Sequence, residues 1–396
     1  LYGVRVAELS SSRLGEVVCR CTEEALERWP RNTPLLSCSL PLSQRPYRNA
    51  GVYFRGMLPE GQLLQGVATG ANLPTYDTFG LLARFGRDVA GAAVISENDP
   101  EERPGSVMPY SPDELADEVA GLDERPLAIY DDSELSLAGL QNKILLVDTG
   151  SGWGRPIGGR PSTHILKVED RRFPGLVTME AAALRLAKAV GLTTVEIHVD
   201  TLTGIDCLIV SRFDRTMVDG EVQRIHQEDA CQALGVDPAA AEGKAKYEAY
   251  GGPAFRDIAR LLDRYAGDPI AELQRLVAAM IFTICIGNAD AHGKNLSFLH
   301  EAPGVIRLAP LYDTVPTALW SKPRRRAAMT VNHRVNLEDI TLADVVAEAE
   351  RWPLAREVAA EIARETAQRV AAVLRECRAP RELDSYVRDR CKHFVQ

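Results

Sequence analysis

Apolar positions in the first hundred residues come in short alternating runs, Tyr2 to Leu9 and Glu16 to Cys21, and this period of two predicts strands. A helical spacing follows over Thr78 to Phe85, so the opening segment reads as a small α+β unit. A stretch rich in Pro, Glu, Asp and Ser, from Glu97 to Asp113, is the natural boundary. Beyond it, strand-like runs at Lys143 to Val147, His164 to Val168, Val195 to Val199 and Leu208 to Ser211 interleave with one helix, Met179 to Val190. That helix is stopped by Gly191, a residue suited to the left-handed turn after a helix end. After Asp214 the pattern becomes mostly helical: Gln227 to Leu234, Phe255 to Tyr265, Ile270 to Ile286 closed by Gly287, and an amphipathic stretch from Leu354 to Cys377. A strand-rich half followed by a helix-rich half predicts two lobes, with chemistry where they meet. The expected segments are an N-terminal unit over 1–105, a lobe over 120–214 and a helical lobe over 215–396.

Composition narrows the class. The 396 residues exceed what one core sustains, and 45% hydrophobic with 26% charged residues is ordinary for a soluble globular chain. A formal net charge of −9 repels a phosphate backbone, which disfavours direct DNA binding as the main activity. The one basic run, Lys322-Pro323-Arg324-Arg325-Arg326, reads as a solvated loop. Eight cysteines without C-x-x-C pairing predict reduced thiols and a cytoplasmic protein. Cys19 and Cys21, two apart in a strand, share a face. The longest apolar candidate, Leu276 to Ile286, is about half the roughly 20 residues of a membrane span, so no membrane is expected.

Candidate chemistry concentrates in Gly287-Asn288-Ala289-Asp290-Ala291-His292-Gly293-Lys294-Asn295, a polar loop after an apolar helix. Asp290 and Asn295 have the five-residue spacing of the catalytic Asp and the magnesium-binding Asn of protein kinases. Two strand-like segments, Asn295 to His300 and Val305 to Leu311, then lead to Tyr312-Asp313, and a hairpin there returns Asp313 toward Asn295. Such a set holds Mg²⁺ on phosphates with two side-chain oxygens while a separate carboxylate positions the attacking hydroxyl. The competing reading is that these Asx residues only cap turns.

The order Asn288, Asp290, His292, Lys294, Asn295, then Tyr312 and Asp313 resembles the catalytic and metal-binding signature of the HipA family of toxin kinases. The resemblance extends to Leu58-Pro59-Glu60-Gly61, to Gly86 through Gly91, and to His226-Gln227-Glu228-Asp229, and so covers most of the chain. It implies an N-terminal α/β subdomain on a two-lobed, protein-kinase-like core with a mostly helical C-terminal lobe. It also implies ATP and Mg²⁺ as cofactors, with Asp290 as catalytic base and Asn295 and Asp313 as metal ligands.

Nucleotide contacts implied by the family are Ala138, Gly139, Leu140, Gln141, Asn142 and Lys143 in a phosphate loop, Lys167 in a strand, and His292, Gly293, Lys294, Asn295, Tyr312 and Asp313. Ser211, Arg212 and Phe213 are implied to line the adenine pocket through backbone groups. Asn142 stands where many relatives are expected to carry Glu. Lys294 is expected as a point charge against phosphate. Ser136 resembles a serine whose autophosphorylation shuts the enzyme off, since added charge opposes folding over a triphosphate; an ordinary turn serine is the alternative. His292 either contacts nucleotide or is a buried histidine bonded to the loop. Glu180 either holds Lys167 or complements a helix N-terminus, and Arg212 with Asp214 either serves the pocket or forms a structural ion pair between the lobes. The implied partners are a helix-turn-helix, HipB-like antitoxin that supplies operator-DNA contact, and a protein substrate such as an aminoacyl-tRNA synthetase. Two other activities fit the same residues: a small-molecule or lipid kinase, and a silent corepressor.

Overall fold

The computed structural model describes residues 1–12, 15–98, 105–122, 141–170, 172–320 and 325–395. The chain forms two compact units, Leu1–Asp170 with Glu196–Glu228, and Arg171–Val195 with Asp229–Gln396.

The first unit begins with a hairpin of Ala7–Ser11 and Val17–Cys21, in register from Ala7↔Cys21 to Ser11↔Val17. Alternation turns Val17 and Cys19 into a core with Tyr53, Phe54, Met57, Leu58, Leu81, Leu82 and Phe85. The helix Thr78–Phe85 has the bounds its spacing predicts, and Asp77 caps it by accepting the Gly80 N–H. Tyr2 lies outside the strand expected from Tyr2 to Leu9: its φ is +53°, and its hydroxyl accepts the His226 N–H at 2.8 Å.

Six antiparallel strands follow, in the spatial order Ser106–Pro109, Trp153–Ile157, Lys143–Asp148, His164–Val168, Ile205–Ser211, Ile197–Leu202. The stretch read as a boundary from Glu97 to Asp113 therefore supplies an edge strand, pairing Ser106 to Ile157. It also begins the helix Pro112–Ala120, whose start is set by a Ser111–Glu114 capping box and Pro112. Leu115 and Val119 cover Ile144, Leu146, Leu166, Val168, Cys207 and Ile209 on one sheet face. A further hairpin, Arg215–Val218 with Glu221–Arg224, corrects the expectation of helix after Asp214. Asp219 and Gly220, with φ of +51° and +81°, make the two-residue turn that Asp-Gly favours.

A buried ion cluster joins distant parts of this unit. Arg212 reaches Asp214 at 2.8 Å and Arg215 reaches Asp88 at 2.9 Å. Ser162 donates to Asp88 through both N–H and hydroxyl, and Gly91 N–H donates to Asp214. Burial alone would raise both carboxyls, but the two guanidiniums outweigh it and hold Asp88 and Asp214 below the usual carboxylate range. This explains the Gly86-Arg87-Asp88-Val89-Ala90-Gly91 motif. A Cβ on Gly91 would also lie 2.9 Å from Gln227 N.

In the second unit, the 18-residue helix Pro269–Ile286 packs against Phe255–Tyr265, Arg356–Ala372 and Arg381–Val395. It starts at Asp268, which caps Ala271 N–H, with Pro269 at the first helical position. Its mean hydropathy of 1.6 makes it long and apolar enough to cross a membrane by composition, which the sequence reading did not foresee; 61% of it is buried within the protein. An all-round apolar helix is what a core element of this kind requires. Helices Leu342–Ala349 and Arg381–Val395 and the paired strands Arg326–Val331 and Arg334–Asn336 complete the unit, beyond the one amphipathic helix expected there.

Asp88→Ala leaves two buried guanidiniums sharing one carboxylate, and breaking such a cluster costs about 3–5 kcal/mol. Urea unfolding is expected to show a loss of that size. Because the folded carboxyls sit low, their stabilisation is present above about pH 4 and lost only as pH falls through the depressed values.

Candidate active site

The helix Pro269–Ile286 ends at Gly287, whose φ is +77°. A Cβ there would lie 2.8 Å from Tyr386 Cε1 and 3.0 Å from Ala318 Cβ, so backbone direction and close packing both require glycine. The chain turns at once into the polar loop. Asn288 is buried; its N–H donates to Thr283 O at 3.0 Å and its Oδ1 accepts the Asp290 N–H at 3.0 Å. Ala289 N–H donates to Thr317 Oγ1, and Ala289 O accepts the Ala328 N–H. Gly293 is held by Lys246 O, and a Cβ on it would lie 2.5 Å from Pro253. Of the nine residues Gly287 to Asn295, only Asp290 and Asn295 escape burial.

Those two are coupled. Asn295 Nδ2 donates to the Asp290 carbonyl at 3.1 Å, which fixes the orientation of the amide. Tyr247 donates its hydroxyl to Asp290 Oδ1 at 2.8 Å, and its ring meets His292 edge-on with centroids 5.1 Å apart. His292 is buried, and its backbone N–H donates to Asp290 O. Nothing in the local sequence pattern marked Tyr247.

The hairpin Ser297–Ala302 and Val305–Leu308 returns the chain, with Phe298 opposite Leu308 and Gly304 at φ +87° in the turn. Glu272 in the core helix accepts the Leu308 N–H at 2.7 Å, and Leu311 N–H donates to Leu192 O at 2.9 Å. The Tyr312 hydroxyl then donates to Lys294 O at 2.6 Å and lies 2.6 Å from Ser297 Oγ. One phenol thus joins the segment that carries Asp313 to the segment that carries Asn295. Burial, then the Asp229 carboxylate, push the Tyr312 phenol well above its ordinary value, so it stays a donor. Asp313 itself is partly exposed at φ +52°, a left-handed conformation that Asp tolerates better than most residues.

Several expectations are corrected. The Lys294 ammonium, read as a charge against phosphate, is paired with Asp229 at 3.0 Å, and both side chains are buried. The expected helix from Gln227 is extended through Asp229 and becomes helical at Ala230, because Asp229 caps the Gln232 N–H in a capping box. His226 and Glu228, which had no assigned role, hold the loop at Leu36–Cys38: His226 Nε2 lies 2.7 Å from Leu36 O, and Glu228 accepts from Cys38 N at 2.9 Å. Glu180 lies in the second turn of a helix that starts at Leu176, and it is buried, so it does not complement the N-terminus.

In the first unit, Lys143 and Lys167 are directly opposite in adjacent strands, both buried. They occupy the face opposite Ile144 and Leu166, which pack under the helix Pro112–Ala120. Gln141 Nε2 donates to Val168 O at 3.0 Å. Ser136, Ala138, Gly139 and Leu140 lie outside the described residues. The Ser211 and Arg212 N–H groups are spent on Glu196 O and Thr163 O, and the Arg212 guanidinium on Asp88, Asp214 and Ser162. Arg212 is therefore a buried structural pair within the first unit rather than an exposed bridge, and any adenine contact at Ser211–Phe213 excludes those two N–H groups.

The family model of the HipA N-terminal domain matches residues 1–96, and that of the HipA-like C-terminal domain matches residues 135–374. Y4mE of Sinorhizobium fredii (strain NBRC 101917 / NGR234), a kinase by name, is 36% identical over 390 residues, 93% of this chain and 89% of that protein. The serine/threonine-protein kinase toxin HipA of Shewanella oneidensis is 28% identical over 314 residues, 77% of this chain and 72% of its own. A solved chain from the Shewanella oneidensis MR-1 complex of HipA, HipB and operator DNA superposes with a TM-score of 0.81 at 26% identity, covering 99% of this chain and 94% of that one.

Lys294→Met strands the Asp229 carboxylate in a buried setting while keeping most of the side-chain volume. We expect it to lower unfolding free energy by on the order of 3 kcal/mol in urea titration. Asp229→Asn combined with it is expected to recover part of that loss.

Proposed function

We propose, since the chain belongs to the HipA family, that it transfers the γ-phosphate of ATP to a serine or threonine hydroxyl of a protein. The observation that carries this reading is the loop Gly287–Asn295, buried throughout except at Asp290 and Asn295. A scaffold that hides seven of nine loop residues and leaves a carboxylate and an amide at the surface suits positioned acid–base work.

In this mechanism Asp290 accepts the proton of the attacking hydroxyl. The acceptor oxygen bonds to the γ-phosphorus as the bond to the β,γ-bridging oxygen breaks, ADP leaves, and the proton passes from Asp290 to solvent. Asn295 and Asp313 supply oxygens for Mg²⁺, which when bound neutralises charge on the phosphates. Their hard oxygen donors suit that ion, and the described residues hold no group of three or more His, Cys, Asp or Glu that would compete for a softer metal. Lys143 and Lys167, opposite each other in adjacent strands, bind the nucleotide. Gln141 and Asn142 contact the nucleotide together with Ala138, Gly139 and Leu140. Ser136 is the autophosphorylation site.

We assign the protein to the cytoplasm as the toxin of a toxin–antitoxin pair, with a helix-turn-helix antitoxin supplying DNA contact and an aminoacyl-tRNA synthetase as the class of substrate. The structurally similar Shewanella chain, solved with HipB and operator DNA, supports the partner, and the net charge of −9 agrees with DNA contact through that partner.

Incubation with Mg²⁺ and γ-labelled ATP is expected to label the wild-type chain at Ser136. Asp290→Ala and Asp313→Ala should each reduce labelling by at least about a hundredfold, and Asp313→Ala should also weaken metal-dependent ATP binding. Wild-type turnover in either variant would overturn its assigned role.

A further inference from the structure

We infer that Tyr247 is a positioning residue for phosphate transfer, its hydroxyl fixing the Asp290 carboxylate in the orientation from which it takes the acceptor's proton. The inference rests on Asp290 being the base proposed above.

The Tyr247 hydroxyl donates to Asp290 Oδ1 at 2.8 Å, across 43 positions of sequence. Its neighbours on both sides are tied to the same region. Lys246 O accepts the Gly293 N–H at 3.0 Å, which bonds the Tyr247 segment to the loop three residues past Asp290. On the other side, Glu248 accepts the Thr330 N–H at 2.6 Å and the Thr330 hydroxyl at 2.8 Å, and pairs with Arg256 at 3.0 Å. The backbone at Tyr247 is closed further by a turn, Gly252 N–H donating to Tyr247 O at 3.0 Å. A Cβ on Gly252 would lie 2.6 Å from Ala245 O, so the turn is tight. The phenol is thus delivered by a braced segment.

The Asp290 main chain is held by Asn288 Oδ1 at its N–H and by the His292 N–H and Asn295 Nδ2 at its carbonyl, while the Tyr247 hydroxyl acts on the carboxylate itself. A carboxylate can rotate about its last bond with little resistance. A hydrogen bond from a fixed phenol to Oδ1 removes that freedom and orients the other oxygen along a defined direction. Orientation of this kind is worth rate, because a misplaced base loses near-attack geometry. In this role Tyr247 acts through Asp290 and takes no part in the proton transfer itself.

Tyr247→Phe tests this, since it keeps the ring against His292 and removes only the hydroxyl. The assay is transfer of labelled γ-phosphate to the chain itself across a range of ATP with Mg²⁺, beside calorimetric Mg·ATP binding and a thermal melt. The expected result is a maximal rate lower by about ten- to a hundredfold, with half-saturating ATP, Mg·ATP affinity and melting midpoint little changed. A merely structural tyrosine would move the midpoint or the affinity together with the rate, and that outcome would overturn the inference, as would an unchanged maximal rate in an active wild type. A wild-type chain that binds Mg·ATP but labels neither itself nor any added protein would overturn the kinase reading itself, and this inference with it.

Discussion

The left-handed stop at Gly287 governs the site. The helix Pro269–Ile286 is apolar enough to be fixed in the core, but a fixed helix is useful only if its end aims the following chain in one direction. The φ of +77° and the closeness of Tyr386 and Ala318 leave one conformation at that position. From there Asn288, Ala289 and Gly293 are each bonded to a different neighbouring segment, so the loop has little freedom to vary. Within the loop Asp290 and Asn295 alone are only partly buried.

Buried polar groups do comparable work in both units. Asp88 and Asp214 with Arg212 and Arg215 fasten the turn at Gly86–Gly91 to the segment after the strand Ile205–Ser211, and Asp229 with Lys294 fastens a helix start to the loop Gly287–Asn295. Buried ion pairs are weak sources of stability compared with apolar packing, but they tolerate only one arrangement of their partners. Here each pair fixes a segment that carries little apolar side chain of its own, where hydrophobic burial would leave register undefined.

How much could be read from sequence depended on the range of the interaction. Periodicity sufficed for Thr78–Phe85, His164–Val168 and Phe255–Tyr265, where local spacing and burial agree. It failed for Arg215–Arg224, although Asp219-Gly220 is a hairpin signal, because Thr216 to Val218, Glu221 and Gln223 are exposed and burial imposes no alternation on them. The helix Arg381–Val395 was missed although Leu383, Val387, Cys391 and Phe394 form a buried stripe, since charged residues crowd between them. In the site, the polar loop after the core helix and the hairpin that follows it were visible. The partners were not: Tyr247 meets Asp290 from 43 residues away, and Asp229 meets Lys294 from 65. Contacts of that kind are made by topology, and no local pattern encodes them.

The central claim is that Asn295 and Asp313 together carry the metal beside Asp290. A crystal structure of the chain with Mg²⁺ and a non-hydrolysable ATP analogue tests it most directly. The account predicts an ion with one oxygen from each of Asn295 and Asp313 at about 2.1 Å and phosphate oxygens completing the shell. A magnesium–nucleotide complex bound without either side chain would contradict it.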